Sequence, residues 1–167
     1  MTAKDKVTVF LLSYHVAVAC MQTARERYER TYADATTPAG QSIGDGMPHA
    51  HGRPRGLDDR SVAIADARTA FVRAYEDAKA ARKQIEDALD RAGLTDTERD
   101  VIIRKYLTLR TLTHRTVDGE RLDHYTLQPW GQIAADTGAT YAAVTHTHGR
   151  ALAKLMLLPD FAGEEAP

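Results

Sequence analysis

Residues 129–155, PWGQIAADTGATYAAVTHTHGRALAKL, decide the reading of this chain because they describe two short helices folded across a glycine-containing turn. Pro129 suits the first position of a helix, where its missing N–H would be unpaired anyway, and Trp130, Ile133 and Ala134 then share one face. The first helix is predicted over Pro129 to Asp136. Thr137, Gly138 and Ala139 follow, with Gly138 free to take the positive φ of a tight turn, and Thr140 can cap the second helix. In that helix Val144, Ala151, Leu152, Leu155 and Met156 form the apolar stripe, while Tyr141, Ala142, Thr145, His146, Gly149 and Arg150 lie away from it.

Helix, glycine turn, helix is the helix-turn-helix layout, in which the second helix enters the major groove N-terminus first. A plain helical hairpin in a bundle shows the same pattern, and pattern alone does not separate the two.

The 167 residues can build one sizeable core, or a small domain with an elongated appendage. Ala-rich composition with 43% hydrophobic and 27% charged residues favours an all-α fold. A formal net charge of -1 gives the whole molecule no pull towards polyanions, so any nucleic-acid surface must be local. The single cysteine, Cys20, excludes an internal disulfide and Cys-rich zinc sites, which agrees with a reducing cytoplasm, and it is expected in the core. Val7 to Met21 is the most apolar run. It is broken by Ser13, Tyr14 and His15 and falls short of the ~20 residues of a membrane span, so neither signal peptide nor membrane helix is expected.

Upstream, Val7, Leu11, Tyr14, Val18, Met21, Tyr28 and Tyr32 recur at steps of four and three, predicting one helix over Lys4 to Ala35. The β-branched residues of Val7 to Leu11 and Val16 to Cys20 leave a strand reading open for its first half. Residues 36–56 are dense in Gly and Pro and are expected as a mobile loop, with His49, His51, Arg53 and Arg55 solvated.

Leu57 to Gly93 is the clearest helix. Ile64, Phe71, Ala78, Ile85 and Ala92 form one heptad set, and Ala67, Ala74, Ala81 and Ala88 the other. The alanine set admits a close partner, and the first helix folded back antiparallel is that partner. Val72, Tyr75 and Leu89 are left as spare apolar surface for a second chain.

Thr95-Asp96-Thr97-Glu98 is a capping box that starts a further helix, with Val101, Ile102, Tyr106 and Leu107 inward and Arg99, Arg104 and Lys105 mostly outside. Residues 109–127 are Thr-rich and β-branched around Asp118-Gly119, which predicts a β-hairpin with a two-residue turn. That turn would set Arg115 opposite Leu122 and His114 opposite Asp123.

These segments, ERDVIIRKYL, WGQIAADTGATYAAV and THTHGRALAKL, resemble the region-4-like helix-turn-helix of sigma-70-type factors, as found in phage and prophage late-transcription-regulator-type proteins. The resemblance extends to Thr36, Thr37 and Pro38, to Gly46, Met47 and Pro48, and to the long second helix. It implies sequence-specific binding of double-stranded DNA near promoters, with RNA polymerase as a further partner, in the cytoplasm of a bacterial host. Relatives usually carry Arg or Lys just after the cap of the recognition helix, where this chain has Tyr141 and Ala142.

The expected organisation is a helical coil over 1–93 for homodimerisation, a helix-turn-helix module over 94–158 with the hairpin 109–127, and a disordered tail over 159–167. The expected DNA-binding residues are Thr140, Tyr141, Ala142, Thr145, His146 and Arg150 in the groove, with Arg99, Arg104, Lys105 and Lys154 on phosphates. His146 and His148 diverge by about 200° on a helix and cannot share a metal, so His148 is expected to pack. No catalytic, metal or cofactor site is expected, because phosphate loops and metal-ligand spacings are missing from the sequence. The alternatives are a protein-interaction module that never touches DNA and a small-terminase-like packaging protein.

Overall fold

The computed structural model describes residues 1–36, 57–115 and 121–162. The fold is all-α with a small hairpin insertion. Two long helices, α1 (Ala3–Thr36) and α2 (Leu57–Arg91), precede α3 (Asp96–Ile102), which runs on into a π-helical turn, Ile103–Leu107. Strands β1 (Arg110–Arg115) and β2 (Arg121–Thr126) then lead to α4 (Trp130–Thr137) and α5 (Tyr141–Leu155).

The first half of the chain is helical throughout its described residues, so the strand alternative for Val7 to Cys20 is excluded. α1 and α2 run antiparallel. Tyr28 stacks on Phe71 with ring centroids 6.4 Å apart, and Arg82 sits over Tyr14, so rising numbers on one helix meet falling numbers on the other. Both predicted heptad sets of α2 contribute to the seam. Ala67, Ala78, Ile85 and Ala88 are buried, and Ile64, Phe71, Ala74, Ala81 and Ala92 are half-buried. Leu89 is 1% exposed and belongs to the core instead of the surface left for a second chain, because it faces the C-terminal helices. Cys20 also departs from expectation. It is exposed, one residue off the stripe that carries Val18 and Met21.

By length and composition α1 could cross a membrane, with a mean hydropathy of 1.5 over its most apolar 18 residues. Here its Val7 and Leu11 are fully buried in a cluster with Ile85, Leu89, Ile102, Leu107, Leu152 and Leu155. That cluster draws on the coil and on the C-terminal helices together, so the base of the coil and the helix-turn-helix share one core. Residues 159–162, expected in a disordered tail, are packed instead. Phe161 is buried against Phe10, ring centroids 5.1 Å apart, and Asp160 pairs with Arg91 at 2.7 Å. α5 ends at Leu155, ahead of Pro159, yet Asp160 and Phe161 carry enough charged and apolar contact to hold the following turn in place.

The hairpin forms, but its register is one step from the expected one. Arg115 pairs with Arg121, His114 with Leu122 and Thr113 with Asp123. Asp118-Gly119, the loop 37–56 and the tail 163–167 lie outside the described residues. The hairpin is tied to the coil where the Tyr125 carbonyl accepts from His15 Nε2 at 2.9 Å.

Candidate nucleic-acid interface

The capping box at the start of α3 is formed as predicted. Thr95 Oγ1 accepts from the Glu98 N–H at 3.3 Å, and Glu98 Oε2 accepts from the Thr95 N–H at 2.9 Å. α3 packs with α4 and α5 through Val101, Ile133, Ala134 and Val144, with Trp130 against them. This three-helix cluster sets the angle at which α5 is presented. Pro129 is the cap of α4, with extended φ/ψ, and Trp130 is its first residue, one step later than expected.

The turn follows from Gly138. Its φ is 65°, its N–H bonds to the Ala135 carbonyl at 3.3 Å, and the Ala139 N–H reaches the Ala134 carbonyl at 3.1 Å. These two bonds make a Schellman ending that an L side chain would strain at Gly138. Thr140 Oγ1 then caps α5 by accepting from the Ala143 N–H at 3.2 Å. Val144, Ala151, Leu152 and Leu155 face inward as predicted. Tyr141 at 58% exposure, Ala142, Ala143 and His146 stand on the open side of the helix, with Thr140 at its tip and Thr145 half-buried between them. The Thr145 hydroxyl donates back to the carbonyls of Tyr141 and Ala142, 3.1 Å each.

No family model, curated protein or solved structure matches this chain. Function is therefore read from the site itself.

The cations expected on phosphates are turned towards the protein. Arg104 Nε pairs with Asp100 at 2.7 Å, with Asp136 3.9 Å from its Nη1, and Arg99 pairs with Asp90. Lys105, expected outside, is tucked under α4. Its ammonium lies 4.4 Å from the centre of the Trp130 ring and donates to the Gln128 carbonyl at 2.8 Å, and burial lowers its pKa. The π-helical turn, closed by the Thr108 N–H to the Ile103 carbonyl at 2.9 Å, carries Lys105 and Tyr106 to this position.

Glu98 is the residue whose second role the sequence did not disclose. Its carboxylate is almost fully buried and accepts from Lys154 Nζ at 2.7 Å, while Arg150 Nε stands 3.7 Å away. The Lys154 and Thr95 bonds lower its pKa to about 2. Lys154 is 56 positions away, so no local spacing signals the pair. His148 packs, as expected. It shares a 3.0 Å hydrogen bond with Tyr106 Oη and meets the Trp130 ring at 4.7 Å, and burial, with Lys105 and Lys4 adding to it, lowers its pKa to about 4. Among the described residues no group of three or more His, Cys, Asp or Glu could hold a metal ion.

Proposed function

We propose that this chain is a sequence-specific, double-stranded-DNA-binding transcriptional regulator of phage or prophage type, with α5 as its recognition helix. The observation that carries the reading is the geometry of α4, turn and α5. A rigid αL turn at Gly138 leaves the N-terminal half of α5 uncovered, and the C-terminal half is clamped into the core by Ala151, Leu152 and Leu155. The coil serves as a homodimerisation handle in this reading. Val9 and Val16 on α1 are each 58% exposed, and Val72 and Tyr75 on α2 about half exposed, which supports a second chain there. RNA polymerase is a further partner in the same reading.

A second reading is supported by one observation. Residues 137–149 contain no Lys, Arg, Asp or Glu, and such a face equally suits a protein partner. Selection of bound sequences from a random duplex pool by the full chain separates the two. Enrichment of one motif is expected, and half-site repeats in it would report the dimer. A folded protein that enriches nothing overturns DNA recognition in favour of the protein partner.

A further inference from the structure

Resting on the DNA reading above, we propose that α5 selects its site through thymine methyl groups and that its core contacts are A·T pairs, not guanine.

Each base edge calls for its own side-chain chemistry. Guanine is read by the paired donors of Arg or Lys, adenine by the amide of Asn or Gln, and cytosine by a carboxylate accepting from its amino group. Residues 137–149, which span the turn and the whole exposed first half of α5, contain none of those six residue types. The nearest Arg, Arg150, lies beside the buried Glu98 carboxylate at 3.7 Å and is aligned with the side of α5 that meets α3. Lys154 is bonded to the same carboxylate, and Arg104 and Lys105 are held by Asp100 and by Gln128 with Trp130.

Beside the Tyr141 hydroxyl, the Thr140 tip and the His146 ring, the open face offers apolar groups. It presents the Ala142 and Ala143 methyl groups and the Tyr141 ring. Thr145 adds to this, because its hydroxyl proton is directed back to the carbonyls of Tyr141 and Ala142, which leaves its methyl and the hydroxyl oxygen as an acceptor for a partner. In the major groove the one base feature that rewards such contact is the C5-methyl of thymine. His146 is exposed, but its two ring nitrogens diverge and cannot make the parallel paired contact that singles out guanine.

The test uses the full chain and the duplex that the pool selection enriches. Each thymine of that duplex is replaced in turn by deoxyuridine, which removes only the methyl, and each guanine by 7-deazaguanine, which removes the groove-facing N7. Since the changes are made in the DNA, protein folding does not enter. The expected result is a loss of affinity of about 3- to 5-fold at two or more thymines, the size of one buried methyl group, and no loss at guanines. Loss at guanines with none at thymines overturns the proposal and leaves DNA recognition standing. Absence of any enriched duplex overturns both.

Discussion

Lys154 Nζ, near the end of α5, lies 2.7 Å from Glu98 Oε2 in the first turn of α3, and the same carboxylate oxygen caps the N–H of Thr95. One buried carboxylate thus fixes the start of α3 and the position of α5 together. Its charged state is favoured by those bonds, so its contribution to stability is present above its ordinary pKa near 4.5 and is lost as pH falls through about 2.

His148 acts in a neighbouring window and in the same direction. Burial beside Trp130 and Tyr106 favours the neutral ring, so its contribution is complete above the ordinary value near 6.5 and is lost as pH falls to about 4. Urea unfolding across pH 7 to 3 should show stability falling in both windows. His148→Gln should flatten the upper one and Glu98→Gln the lower. A stability unchanged between pH 6.5 and 4 in the parent protein would contradict the buried neutral histidine.

Two glycines of the interface should respond oppositely to alanine. Gly138 has φ 65° with open space around it, so Gly138→Ala carries backbone strain alone and should cost about 1 kcal/mol. Gly149 lies inside α5 with open space where a methyl group would project, so Gly149→Ala should stabilise by roughly 0.5–1 kcal/mol through helix propensity. Thermal melting of the two variants checks the pair, and equal shifts would contradict the assigned turn.

Ala88 is fully buried where α2 meets α1 and the C-terminal helices. Ala88→Leu should therefore overpack the seam and cost roughly 1–3 kcal/mol in chemical unfolding. An unaltered midpoint would show that the alanine set is not a packed seam.

Much of this fold is legible in local pattern. The heptads of α2, the Thr95 box, Gly138 and the Thr140 cap each act through neighbours within a turn or two, and each stands where the sequence places it. What escapes is set by tertiary partners. Leu89 and Phe161 are drawn into a core built from both ends of the chain, and Lys105, outside by periodicity, is redirected by the π-helical turn and Trp130. Likewise the hairpin sits one step from the register that Asp118-Gly119 signals, and its tie from Tyr125 to His15 spans 110 positions. In the candidate site the exposed row Tyr141, Ala142 and His146 is readable from helical spacing, whereas the pairing of Arg150 and Lys154 with Glu98 is not.

With no Lys or Arg among residues 137–149, DNA binding through α5 should depend only shallowly on salt. The slope of log K against log [salt] is expected near -1 to -2, about one or two phosphate contacts. Arg150, 56% exposed at its side chain although it stands 3.7 Å from Glu98, is the cation nearest the exposed face of α5, and Arg150→Ala should flatten that slope by about 1 while changing stability by less than roughly 0.5 kcal/mol. Fluorescence anisotropy between about 50 and 200 mM salt, a range chosen for its large counterion effect, measures it. A steep slope would place the phosphate contacts on other residues.

The most direct measurement is the random-pool selection run in parallel with the parent protein and with the double variant Tyr141→Ala, His146→Ala, which alters only exposed side chains of α5. The parent is expected to enrich one motif and the folded double variant none. The same motif from both proteins would contradict the assignment of α5 as the reading helix, and no motif from the parent would contradict DNA recognition itself.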